Sequence, residues 1–414
     1  MNLKDIVDRV KAITDYNPSV TTYDDQIKAM IIDHYLELCS RSKWLFLQQD
    51  TTITVYADYT TGTAGVTNGS REVTGSGTSW DSTMEGQTFV HSDVEYKIAE
   101  VVSTTRLTLV DAFAGSTAAS QSYTIRFDSY ILPNDVVDVL YFTSRDDDRG
   151  KLPHIDGRTD ASYHLDRDQT GDPTVWIGAG MEFIDAPPET ITLSAGPSGG
   201  SLINGSVYRY KYTVLHRGIE SAPSATAEIT LSGDSVEIKG LPDMRVQSGA
   251  LALVAGFRKN VYRSKDGGPF YLLKEIAESS TNYVDDGSAS IDKTNILYES
   301  GQYQRVRFWP RPSSQKDIDL RYLRRPRELQ HDQDVPEMPQ EYHIVLRDMT
   351  LVDLFQKHHQ ETSARMYEKR AEERIRQMTQ RYTDRTDRFW VMQSGWERQS
   401  RRWLPRETPP VKLN

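Results

Sequence analysis

The hydrophobic period of this chain changes twice. Apolar residues recur every three or four positions near the start, every second position through the middle, and every three or four again from about residue 339. A helix buries a stripe and a strand buries alternate residues, so one pattern cannot serve as the other. The chain therefore has helices at both ends and β modules between. A single helical core can form if the two ends meet, with the β modules carried as insertions. The expected class is α+β multidomain.

Leu3, Ile6, Val7, Val10 and Ile13 predict a helix over 3–14, broken at Asn17-Pro18. A second helix runs over 24–42, with Asp24 or Asp25 as its N-cap. Its stripe is Ile27, Met30, Ile31, His34, Tyr35 and Leu38, followed by an apolar plug, Trp44-Leu45-Phe46-Leu47. At the other end Pro339 opens a helical stretch with Tyr342, Val345, Leu346, Met349, Val352 and Phe355 at helical spacing. After His358-His359 it becomes strongly charged, and reads as two helices or one long bent one, because no heptad persists. The expected core of this frame is Ile27, Met30, Ile31 and Leu38 packed on Leu346, Met349 and Phe355.

Between the ends, short runs of Val, Thr and Tyr alternate and are cut by Gly, Asn and Ser. Residues 51–125 predict a small barrel or sandwich of six or seven strands, with turns at Asn68-Gly69 and Gly75-Ser76-Gly77. In 191–297 the strand–turn spacing predicts an immunoglobulin- or fibronectin-III-like sandwich, with turns at Arg217-Gly218 and Asp266-Gly267-Gly268. Residues 303–326 read as a hairpin closed by Pro310–Ser314. The expected division is 1–50 N-terminal helices, 51–125 first β module, 126–190 connecting β and loop region, 191–297 sandwich, 298–338 returning hairpin, 339–383 C-terminal helices and 384–414 an extended arm.

Composition removes several function classes. One cysteine, Cys39, excludes an intramolecular disulfide and a cysteine-based zinc site. A net charge of −10 argues against a whole-chain polyanion binder. No apolar run approaches the ~18 residues of a membrane span, and the first residues lack a signal-peptide core. The expectation is a protein made in the cytosol with no membrane partner. Tyrosine, at 22 copies, suits strand surfaces and protein interfaces.

Catalytic signatures are weak. Gly75-Ser76-Gly77 lies between strand residues, whereas a phosphate loop opens a helix. His358 and His359 are adjacent and point about 100° apart on a helix, so they do not chelate as an i, i+4 pair would. Asp146-Asp147-Asp148 lacks the glycine and distal glutamate of a calcium loop. His34 reads as a satisfied core histidine and Cys39 as a small buried hydrophobe. The expectation is no enzyme, no catalytic residue, no metal and no cofactor.

The last stretch is the strongest binding signal. From Thr383 onward there are seven Lys/Arg against four Asp/Glu, a local charge of +3. Trp390, Trp396 and Trp403 follow no helical or strand period, and Arg398, Arg401, Arg402 and Arg406 interleave with them. Tryptophan and arginine are the residue types of interface hot spots, so the stretch reads as a protein-docking arm. Nucleic-acid contact and plain disorder are the competing readings.

Three segments together resemble the head-to-tail adaptor (head-completion, or neck connector) proteins of tailed bacteriophages. They are SRSKWLFLQQDTTITV, the glycine-punctuated stretch VTNGSREVTGSGTSW through LVDAFAG, and RFWPRPSS through LVDLF with its junction Asp334, Pro336, Pro339, Tyr342 and His343. The middle sandwich is similar to immunoglobulin-like insertions of phage structural proteins. The resemblance lies in the order of these segments, and the sandwich insertion and the Trp/Arg arm depart from it. It implies a structural protein of the virion neck, assembled in the host cytoplasm into a dodecameric ring. Its implied partners are other copies of itself, the portal protein, tail, nozzle or tail-fibre proteins, and genomic DNA as passing cargo in the ejection channel. The arm residues Trp390, Trp396, Arg398, Arg401, Arg402 and Trp403 would then dock on the portal. A DNA conduit need not be basic, because tight phosphate contacts would stall sliding. The alternative is a glycan-binding receptor-recognition component of the tail, which Tyr/Trp-rich β modules also suit. A tail glycosidase or peptidase would need paired carboxylates in a cleft, and the sequence singles out no pair.

Overall fold

The computed structural model describes residues 1–14, 23–145, 150–156, 168–183, 186–187, 189–216, 219–243, 258–266, 268–277, 279–297, 301–329 and 331–383. The chain divides into two compact units. One takes Met1–Gln48 and the chain from Val335 onward, and the other takes Gln49–Asp334.

The first unit is helical. α1 (Leu3–Thr14) buries Leu3, Ile6, Val7 and Val10, the stripe that its spacing dictates. Its start is closed reciprocally: the Asp5 amide donates to Asn2 Oδ1 at 2.8 Å and the Asn2 amide to Asp5 Oδ2 at 3.0 Å. α2 (Asp24–Ser40) is capped differently from the expectation. Tyr23 occupies the N-cap without a side-chain bond, and Asp24 instead pairs with the buried Lys11 of α1. The pair matches the stem of Lys11, which is buried among apolar neighbours, to a carboxylate at the helix N-terminus. Trp44 is fully buried, and its Nε1 donates to the Leu38 carbonyl at 2.8 Å, satisfying one of the orphan acceptors at the end of α2.

The C-terminal helical stretch is two helices, α3 (His343–Lys357) and α4 (Glu361–Tyr382). The break falls at His358-His359, which therefore lie in a turn rather than on a helix. His359 has φ +57°, the left-handed conformation of a helix stop. α4 runs back along α3: Phe355 stacks on Tyr367, Asp348 pairs with Arg374, and Tyr382 reaches Glu341. α1 and α2 both pack on α3.

The second unit is mostly β. Its first sheet has seven strands in the order Ala118–Gln121, Thr63–Val66, Glu72–Ser76, Arg106–Leu109, Val94–Ser103, Thr88–His91 and Thr124–Arg126. The first and last of these are nearly consecutive in sequence yet stand at opposite ends of the order, so the sheet must curl round on itself. Val73, Trp80, Phe89, Ile98, Leu107 and Ile125 fill its interior.

Two four-stranded sheets adjoin it. One orders Gln48–Val55, Lys316–Arg324, Val136–Ser144 and Lys151–Leu152; the other orders His154–Ile155, Val175–Phe183, Gln302–Trp309 and Tyr130–Ile131. The expected hairpin over 303–326 is therefore corrected. Its two strands belong to different sheets, because Arg311–Pro312 between them pairs in parallel with Thr170–Gly171 and carries the chain away. Phe142, Val306, Phe308, Leu320 and Tyr322 join the core of the first sheet.

The remaining sheets form a sandwich. Thr192–Ala195, Val236–Lys239 and Asn282–Asp285 make one layer; Val207–His216 and Arg258–Lys265 centre the other. Tyr208, Tyr210, Tyr212, Val236, Ile238 and Val261 meet between them.

Candidate functional site

Among the expected frame residues, Ile27, Ile31, Leu38, Leu346 and Met349 are buried, on the faces where α2 and α3 pack. Met30 and Phe355 are half-buried. Phe355 lies against Tyr367 of α4, with ring centroids 5.6 Å apart. The expected docking residues Trp390, Trp396, Arg398, Arg401, Arg402 and Trp403, and the run Asp146-Asp147-Asp148, lie outside the described residues. Thr383, the last described residue, forms an antiparallel bridge with Trp44.

Sequence reasoning missed a buried charge in this unit. Asp348 is fully buried on α3, between Arg347 beside it and Arg374 on α4. The signal was an aspartate two positions after Leu346 and one before Met349, on a face that otherwise buries apolar groups. Burying a carboxylate is expensive unless it is paired, and here two guanidinium groups pair it. His343 is also buried. Its Nε2 lies 2.9 Å from the Met338 carbonyl and its Nδ1 3.1 Å from the Met1 carbonyl, and burial pushes its pKa down. The His34 side chain is 14% exposed and satisfied, its Nε2 lying 2.8 Å from Asp353 Oδ2.

The junction residues straddle the two units. Asp334 ends the second, where its carboxylate accepts the His331 amide at 2.8 Å. Tyr342 and His343 are buried in the first.

Tyr210, Tyr262 and Tyr130 all have their pKa raised, chiefly by burial, so they serve as neutral hydroxyls. Their hydroxyls make structural bonds: Tyr210 to Asp285 at 2.8 Å and Tyr262 to Glu220 at 2.6 Å. The expected turn at Gly75-Ser76-Gly77 is corrected: Gly75 and Ser76 are paired residues of the strand Glu72–Ser76, and only Gly77, at φ +69°, lies past its end. The stretch closes a strand and opens no helix. Among the described residues no group of three or more His, Cys, Asp or Glu could hold a metal ion.

A polar face with several internal hydrogen bonds is the outer side of the sheet that contains Lys316–Arg324. Ile318, Leu320 and Tyr322 point inward and are buried, so Asp317, Asp319 and Arg321 point outward. Arg145 Nε donates to both Asp319 oxygens at 2.8 and 3.0 Å, and Thr52 Oγ1 donates to Asp319 Oδ1 at 2.9 Å. The Arg145 hydrogen bonds are the main cause that lowers the Asp319 pKa. Thr54 donates to Asp317 at 2.8 Å, and Lys151 sits 3.8 Å over the Tyr141 ring. The outward charges of these strands are thus paired among themselves.

The family model described as SU10 adaptor protein matches residues 202–395. The matched stretch takes in most of the sandwich, the strands Gln302–Trp309 and Lys316–Arg324, and both C-terminal helices. The match points to a phage adaptor, a component of the virion that contacts other phage proteins. No curated protein matches the chain significantly. No helix among the described residues is long and apolar enough to cross a membrane.

Proposed function

We propose that the chain is a head-to-tail adaptor: a non-enzymatic structural protein that forms a ring, dodecameric in the reading that the resemblance implies, below the portal. It joins the portal to the tail and continues the DNA channel, and DNA passes through it as cargo. The observation that carries this reading is the adaptor-family match over 202–395, which spans the C-terminal helices. The helical unit made from both ends of the chain supports it, because the match takes in that unit's two C-terminal helices. The sandwich is read as an immunoglobulin-like decoration or docking module. A ring uses heterologous contacts, and the charged strand platform and the polar helix α4 offer surfaces for them.

Electron microscopy of the purified chain mixed with the portal protein tests the proposal. A closed ring seated on the portal is the expected result. A monomer or trimer that leaves the portal bare and binds glycans would overturn it in favour of a receptor-recognition component.

A further inference from the structure

The sequence holds two Asn-Gly steps, and serine follows both: Asn68-Gly69-Ser70 and Asn204-Gly205-Ser206. Each sits at the centre of a turn. The Ser70 amide donates to the Thr67 carbonyl at 3.0 Å, and the Ser206 amide to the Ile203 carbonyl at 3.3 Å. Gly69 has φ +77° and Gly205 φ +83°, while neither asparagine has a positive φ, which is the type II pattern. Both glycine amides are bonded, Gly69 to the Phe113 carbonyl at 2.8 Å and Gly205 to the Leu231 carbonyl at 2.9 Å. Both asparagines are exposed. The two turns differ in the asparagine side chain. Asn68 Nδ2 donates to the Ala114 and Gly115 carbonyls at 3.2 and 2.9 Å. Among the described residues the Asn204 side chain has no hydrogen-bond partner.

We propose that Asn204 is a site of spontaneous deamidation in the folded chain, and that Asn68, in the same tripeptide, is held back by its two carbonyl partners. The Gly205 amide nitrogen loses its proton to solvent base and attacks the Asn204 Cγ. The new C–N bond closes a succinimide ring, and the side-chain nitrogen leaves as ammonia. Water then opens the ring at either carbonyl, giving aspartate or isoaspartate. Glycine permits the attack because no side chain shields its nitrogen, and even a Cβ on Gly205 would meet nothing within 4 Å. Both steps must first open the bond of the glycine amide. Only Asn68 must break two further bonds to turn its Cγ toward the nitrogen. Each conversion adds a negative charge at an exposed end of the sandwich, where the Ser201 and Leu202 amides already bond the carbonyls of Asp286 and Asp234. The aspartate product keeps the fold, because the Asn204 side chain holds no hydrogen bond that the new carboxylate would break. The inference is independent of ring formation, since a chain that forms no ring still holds both turns.

Peptide mapping by mass spectrometry of the full chain, held at mildly alkaline pH, tests it, with isoaspartate read by isoaspartyl-methyltransferase labelling. In the folded chain Asn204 should convert at least about fivefold faster than Asn68, the lower end of what two hydrogen bonds withhold. In guanidinium chloride, where both turns are lost, the two rates should converge. Asn204→Asp, which installs one of the products, should unfold at the same urea midpoint as the wild type. Equal rates at the two sites in the folded chain would overturn the proposal. So would an Asn204 that reacts only in the unfolded chain, or a lowered midpoint for Asn204→Asp.

Discussion

The Tyr210 hydroxyl donates to Asp285 Oδ2 at 2.8 Å in the closed interior of the sandwich, and Arg263 Nη1 lies 2.7 Å from the same oxygen. Asp285 is completely buried and Arg263 nearly so. The Gly287 amide adds a bond to Asp285 Oδ1 at 3.0 Å. One carboxylate therefore ties three strands of two layers, and the bonds around it are what make its burial tolerable.

Removing the cation should be the most damaging single change in the sandwich. Arg263→Met leaves Asp285 charged and unpaired, which costs about 3–5 kcal/mol. Tyr210→Phe removes one of several bonds and should cost about 1–3 kcal/mol. Urea unfolding followed by far-ultraviolet circular dichroism measures both. Equal, small effects from the two substitutions would show that the pair does not hold the layers.

In the helical unit, Leu346→Ala should cost about 2–5 kcal/mol, because the side chain is fully buried where α3 is packed by α1, α2 and α4. Phe355→Ala should cost less, since the ring is half-buried, stacked on Tyr367. A Leu346 variant within half a kcal/mol of the wild type in a urea melt would remove this face from the core.

The helices were legible where their information is local. Leu3–Thr14 begins and ends where its spacing predicts, and its cap lies within three residues of its start. The Asn68-Gly69 turn was legible for the same reason, whereas Gly75 and Ser76, read as a turn, are strand residues paired with Ala64 and Thr63. Partnership across distance was not. Nothing in 303–326 tells that its two strands belong to separate sheets, because that depends on Thr170–Gly171 far upstream. Asp24 satisfied the composition rule for a cap, yet Lys11 claimed it. Asp348 reads as a surface charge until Arg374, on the next helix, is placed beside it. The pairing of Arg311 with Asp58, 253 positions apart, had no sequence signal at all.

His331 gives the second unit a pH dependence. Burial lowers its pKa below the ordinary 6.5, and the charges of Arg209 and Lys211 add to the effect while Asp334 and Glu228 oppose it. Its Nδ1 lies 2.6 Å from Arg209 Nη1, a contact that only a neutral ring can accept. The unfolded chain therefore binds a proton at a higher pH than the folded one. Stability is full above pH 6.5 and falls as the pH drops through and below that value toward the folded pKa. His331→Gln should flatten this part of the profile. Urea midpoints between pH 8 and 5 give the comparison; parallel curves for wild type and variant would assign the acid loss to other groups.

The arm after α4 is the part of the proposed adaptor that can be removed most cleanly. Thr383 is bridged to Trp44, so a truncation should keep it and end there. All the described helices lie before that point, and their core residues are retained. The truncated chain should therefore melt at an unchanged temperature. The deleted stretch carries Trp390, Trp396 and Trp403 with Arg398, Arg401 and Arg402. Such anchors supply several kcal/mol when they fill pockets, against the entropy lost in ordering an extended chain. In the proposed reading the pockets belong to the portal. The truncated protein should then remain folded yet fail to join portal-bearing heads in an assembly assay. Restoring the arm with all three tryptophans changed to serine should not rescue joining, whereas restoring it with Arg398→Lys should rescue most of it. If the truncated protein assembles on the portal as well as the full chain, the arm serves a different interface.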